Sequence, residues 1–182
     1  MYLQSITLIG VGLDLTRQVT GGLEARAIGN AVVVYPQIEL SLENLYRQEE
    51  HFAALTGELS QKLACTALGV VNLEDTVLLF WVYAKGKLVF QYDSNPMYLS
   101  CPVCSYCSDT VSAEHGDIEQ LSNLMGVPQN SRALKSWLLR KKGLGFLSER
   151  ERQKKIFQLL GIPLPTPPTG CIQMSKTPDF LA

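Results

Sequence analysis

Residues 76–98 read TVLLFWVYAKGKLVFQYDSNPMY, and the reading of this stretch decides the fold. Two runs of β-branched and aromatic residues flank Lys85-Gly86, where a glycine supplies the positive φ that a tight hairpin turn needs. The spacing predicts a β-hairpin over residues 76–92. With Lys85-Gly86 as its loop, Ala84 faces Lys87. The outward pairs are then Tyr83 with Leu88, Val82 with Val89, Trp81 with Phe90, Phe80 with Gln91 and Leu79 with Tyr92. Alternation places Leu79, Trp81, Tyr83, Leu88, Phe90 and Tyr92 on one face, and Leu78, Phe80, Val82, Val89 and Gln91 on the other. Both faces are apolar. Either core covers both, which the usual burial of aromatic faces favours, or one side is offered to a partner, with Trp81 and Tyr83 as contact residues.

Beyond Tyr92 the chain turns at Asp93-Ser94-Asn95-Pro96, where Asp and Asn bond nearby backbone and Pro blocks the strand. It then enters a C-x-x-C-x-x-C run formed by Cys101, Cys104 and Cys107. Two-residue spacing lets a turn present successive thiolates to one ion, and His115 would complete a Cys₃His zinc site. A second C-x-x-C is missing, since only the isolated Cys65 and Cys171 remain, and an iron–sulfur pattern would need cysteine where Val111 stands. Buried or incidental cysteines are the commoner alternative, with thiol redox chemistry a third. Zinc is the one cofactor the sequence brings into question.

Upstream, residues 2–13 read as a strand containing Gly10-Val11-Gly12. Leu15 stands where a dinucleotide fingerprint wants its third glycine, so a strand end is the reading. Residues 15–28 are ambiguous, broken by Gly21-Gly22, and Asn30 to Tyr35 is a short buried strand. Ser41 caps a long helix running to about Ala64, with Leu42, Leu45, Tyr46, Phe52, Leu55, Leu59 and Leu63 near helical spacing and Gly57 as a weak point. Its His51, beside Glu49 and Glu50, lacks the second histidine of a zinc-protease motif. Leu68 to Leu73 is a further strand.

Downstream the punctuation is helical. Asp117 with Gln120 starts one helix, stopped by Gly126-Val127-Pro128; Ser131 starts another, ending at Gly143; Ser148 with Glu151 starts a third, stopped by Gly161-Ile162-Pro163. The two stops share one chemistry, a left-handed glycine followed by proline. Residues 163–168 are polyproline-like, and residues 171–174 suit a short edge strand.

The chain has 182 residues, 46% hydrophobic and 18% charged, which fits a single domain with one sizeable core. Residues 1–116 would form a mixed strand–helix core and residues 117–182 a helical region with a proline-rich tail. The expected class is α+β, a mostly antiparallel sheet centred on the hairpin with the long helix packed on it. No apolar run reaches membrane-spanning length, the amino terminus lacks a basic signal-peptide region, and five cysteines suit a reducing compartment. A soluble, cytoplasmic protein is expected.

A net charge of −1 hides an asymmetry: residues 1–131 carry 6 Lys/Arg against 14 Asp/Glu, while residues 132–155 carry 9 against 2. Leu134, Trp137 and Leu138 make an apolar stripe from which Arg132, Lys135, Arg140 and Lys142 point away. With Lys141, the Arg140–Lys142 run is the second candidate partner surface. A solvated face is the simplest reading; nucleic acid is a weaker one, because the aromatic interleaving of a single-strand binder is absent. The chain shows no G-x-S-x-G elbow, P-loop or paired-carboxylate motif. The function expected is non-enzymatic binding or regulation through a protein partner or homo-oligomer, with a zinc- or thiol-dependent protein as the alternative.

Overall fold

The computed structural model describes residues 2–36, 45–73, 75–96, 113–141 and 148–165. Strands β1 (Tyr2–Ile9), β2 (Glu24–Ile28), β3 (Ala31–Tyr35), β4 (Thr66–Leu73), β5 (Val77–Ala84), β6 (Lys87–Asp93) and β7 (Glu114–His115) form one sheet in the order β2-β3-β1-β4-β5-β6-β7. Every adjacent pair is antiparallel. The described helices are α1 (Leu13–Thr20), α2 (Leu45–Lys62), α3 (Ile118–Leu124), α4 (Ser131–Leu138) and α5 (Glu149–Leu160). The class is α+β with a helical C-terminal region, as the hairpin-centred reading expects. No described helix is long and apolar enough to cross a membrane.

The hairpin turns where the sequence places the turn. Lys85 and Gly86 have φ of 51° and 82°, the two positive values of a tight hairpin loop whose twist matches its strands. Ala84 pairs with Lys87 and Tyr83 with Leu88, but the next pair is Val82 with Phe90. Val89 is therefore an extra residue, a β-bulge, and the simple alternation fails beyond it. Trp81 faces Gln91 and Phe80 faces Tyr92, which moves Phe90 and Tyr92 from the Trp81 side to the Phe80 side. There Phe80 stacks on Phe90 with centroids 5.4 Å apart and meets Tyr92 at 5.0 Å.

Both faces of the hairpin are covered by the protein itself. On one, α2 buries Phe52 and Leu59 against Ile6, Leu8, Val71, Leu79 and Trp81. The fit needs glycine at 69 in β4: an added Cβ would lie 2.3 Å from Thr56 Oγ1 and 3.0 Å from the Phe52 ring. Gly57, expected to weaken α2, is instead where the Tyr83 ring seats; a Cβ there would come within 2.9 Å of it. The end of α2 clasps the hairpin tip, because Ser60 Oγ donates to Cys65 O at 2.7 Å and accepts from Gly86 N at 3.0 Å.

On the other face Ile118, Leu121, Leu134, Leu138, Ile156, Phe157 and Leu160 pack on Leu68, Val70, Leu78, Phe80, Val82, Phe90 and Tyr92. Asp117 caps α3 by accepting from Glu119 N and Gln120 N, and Ser148 caps α5 by accepting from Glu151 N. The two stops are the same motif. Val127 N donates to Ser122 O and Gly126 N to Asn123 O, just as Ile162 N donates to Phe157 O and Gly161 N to Gln158 O. Helix α4 ends at Leu138, earlier than the expected Gly143, and a buried arginine bonds its last carbonyl and that of Arg140 just beyond it. Arg152 donates to Leu138 O at 2.9 Å, to Arg140 O and to Tyr92 Oη, while Tyr92 Oη donates to Leu138 O at 2.8 Å. Its Nε lies 3.0 Å from Glu149 Oε2, and the two side chains are 2% and 0% exposed. A cation on the negative end of a helix dipole is favourable, and this one ties α4, α5 and β6 together.

Candidate functional site

The polar groups with chemical potential gather where the hairpin ends. Ser94 fixes that exit: its Oγ accepts from Leu78 N at 2.9 Å and its N–H donates to Leu78 O at 3.0 Å. Asp93, the last residue of β6, pairs across the sheet with Leu79 on one side and Glu114 on the other. Because of the bulge it shares the face of Leu79, the face that carries α2, and α2 brings Glu49 to it.

Both carboxyls are half-buried. Burial pushes the Glu49 carboxyl up to about 7, with the charges of Asp93 and then Glu50 adding to it. Burial also pushes Asp93 up to about 6, against the pull of the Asn95 N–H, which donates to Asp93 Oδ1 at 2.7 Å, and with a further push from Glu114. Burial is the first cause for both, and a neighbouring acid adds to each, Asp93 for Glu49 and Glu114 for Asp93. Asn95 completes the group. It is 4% exposed, and neither its amide oxygen nor its amide nitrogen has a hydrogen-bond partner. An unmade hydrogen bond on a buried polar group costs about 1–3 kcal/mol, so this amide is an uncommon residue to find in a settled interior.

The residues marked in the sequence fall as follows. Cys101, Cys104, Cys107 and Lys142 lie outside the described residues. His115 is exposed on β7 opposite Tyr92, and its Nδ1 is 2.7 Å from Gly116 O, a contact that leaves Nε2 as the outward nitrogen. Among the described residues, no group of three His, Cys, Asp or Glu is placed to hold a metal ion. Cys65 is buried, and burial raises its thiol pKa, the opposite of an activated nucleophile.

Trp81 is 3% exposed, its ring 6.0 Å from that of Phe52 in α2, so it serves the core; Tyr83 beside it is half-buried against Gly57. Arg140 and Lys141 are exposed, and the Arg140 guanidinium lies over the Trp137 ring at 4.9 Å. The sequence brings attention to the exit turn but not to its chemistry. Glu49 reads there as one charge on a polar helix face, and Asn95 as a turn residue; no local pattern pairs a helix carboxylate with a distant strand end.

No family model matches the chain, and no curated protein or solved structure matches it either.

Proposed function

We propose that this chain is a non-enzymatic binding or regulatory protein that acts through a protein partner or through self-association. The observation that carries the reading is the separation of charge between the layers. Arg132, Lys135, Arg140, Lys141, Arg150 and Lys154 are exposed and Lys155 is half-buried on the adjacent helices α4 and α5 and the residues that follow α4, where Glu151 is the one acidic residue outside the buried Glu149–Arg152 pair. Across the sheet, among the described side chains of α1 and α2, Asp14, Glu50 and Glu58 are exposed and Glu49 is half-buried, against the exposed Arg17 and Lys62; Arg47 of α2 is outside the described side chains.

A basic surface backed by an acidic one suits an acidic protein partner, a second copy included, because complementary fields steer encounter and fix orientation. With Trp81 in the core, the contact falls to the basic layer around Arg140 and Lys141. Sedimentation velocity across a salt series tests self-association, and a pull-down at low salt tests a separate partner. The double variant R140E/K141E should lose the interaction, and so should raised salt. Association indifferent to both, or none at low salt, removes this reading. Binding of generic RNA or DNA in place of protein would move the same surface to nucleic acid.

A further inference from the structure

We propose that the outer edge of β2 is a self-association surface, to which a second copy of this chain adds its own β2, antiparallel, about a two-fold axis at Ala25. This surface is separate from the basic layer of α4 and α5, so the two readings stand or fall apart. β2 is an end strand of the sheet, and among the described residues nothing bonds its outer side. Ile28 pairs with Ala31 across the two-residue turn Gly29-Asn30, so these two exchange both backbone bonds. Alternation then turns the N–H and C=O of Glu24 and Arg26 toward β3, and those of Ala25 and Ala27 outward. The strand has no proline, lysine or bulge, which are usual guards of an open edge.

Its two charges select the register. Outward groups can bond only outward groups, so the registers that overlap most of the strand put the axis at Ala25, Arg26 or Ala27. An axis at Arg26 sets the two arginines opposite each other, a destabilising pair, and one at Ala27 sets each arginine against Ile28. At Ala25, Glu24 of each copy faces Arg26 of the other, in the wide pairs where side chains lie closest. Within the chain Glu24 Oε1 is already 2.5 Å from Arg26 Nη2, with the two side chains 37% and 38% exposed. The four charges therefore alternate in sign around the axis. The Ala25 methyl lies inward, in the core on the α2 side, and the residue is 7% exposed; Ala27 is exposed. Helix α1 packs on that same core, so the axis leaves both copies of α1 on one face of the continued sheet, and Leu15 of α1 is an apolar side chain 51% exposed.

Sedimentation equilibrium of the full chain from about 1 μM to about 1 mM reads the association, and a dimer that grows no further is expected because a two-fold closes on itself. Amide hydrogen exchange at Ala25 and Ala27 should slow as concentration rises, while Arg26 and Ile28 are protected throughout. E24R and R26E should each weaken the dimer about tenfold, and E24R/R26E, which exchanges the signs, should restore it. A27P takes away an outward N–H, leaves the ladder to β3 intact and should also weaken it. Far-UV circular dichroism shows whether each variant keeps the fold, and exchange at Ala25 and Ala27 in the parent chain decides the case should the variants fail. A chain monomeric at every concentration overturns the proposal. So does a dimer in which those two amides exchange freely, and so does a charge-swapped variant no tighter than E24R. A dimer lost to R140E/K141E and untouched by A27P belongs to the basic layer and overturns it too.

Discussion

On one face of the sheet the 18-residue α2, with the 8-residue α1 beside it, packs closely through Gly69 of β4 and its own Gly57; on the other, helices of 7, 8 and 12 residues stand on bulky side chains and are tied by buried polar groups. The difference follows from length. A helix long enough to hold its own shape needs only a close fit, and Gly69 and Gly57 provide the approach. Helices shorter than about 12–15 residues are marginal alone, so their positions must be imposed from outside. Here Arg152, Glu149 and Tyr92 impose them, helped by Asn72 Nδ2 donating to Gln153 Oε1 at 3.2 Å and by Arg150 N donating to Asp75 Oδ1 at 2.6 Å.

The largest expected effect breaks the polar face. R152M leaves Glu149 buried without its cation and takes one donor from Leu138 O and from Arg140 O, and should cost about 3–5 kcal/mol in urea unfolding. The double variant R152M/E149L should recover part of that loss, since removing both charges of a buried pair is far milder than removing one. A double variant no better than the single would show that the arginine matters for its carbonyls and Tyr92 rather than for Glu149. The close-packed face breaks by volume. G69A puts a Cβ 2.3 Å from Thr56 Oγ1 and should cost about 3 kcal/mol, and T56A should relieve part of it.

The next effect sharpens the comparison at the acidic edge of the α2 face. Glu49 and Asp93 are held at about 7 and about 6 when folded, above their ordinary values of 4.5 and 3.8. Protonation therefore favours the folded state. Their contribution is fully present below about pH 4 and is lost as pH rises through 6 and 7. The urea midpoint should fall between pH 5 and pH 8 by more than in the E49Q/D93N variant, and equal slopes would mean that the two carboxyls are solvated. The smallest effect is a gain. Ala64 closes α2 with φ of 48°, where glycine stands at the ends of α3 and α5, so A64G should stabilise by up to about 1 kcal/mol.

Local chemistry made much of this fold readable. The turn at Lys85-Gly86, the caps at Asp117 and Ser148, and the stops at Gly126 and Gly161 all depend on a few neighbouring residues, and each lies where the sequence puts it. What escaped depends on distant partners. Arg152 reads as one more surface base three residues from Glu149 on a helix; only the arrival of Tyr92 and the end of α4 buries it. Glu49 and Asp93 belong to elements joined by the whole of β4 and β5. The bulge at Val89 has no glycine to announce it, and without it Phe90 and Tyr92 were placed on the wrong face.

That bulge acts as a phase shift in a two-stroke pattern. Up to Leu88 the strand alternates in step with a regular hairpin; from Phe90 onward every side chain is half a period late. One added residue thus assigns Tyr92 to the arginine that anchors the short helices and Asp93 to the carboxylate on the long one. Removing Val89 would exchange those destinations, sending an acid into the helical core and a tyrosine to α2. A change in the number of residues at 89 would therefore misplace every later side chain of the strand at once, where a substitution alters one, so that length here carries an instruction that side-chain identity alone does not.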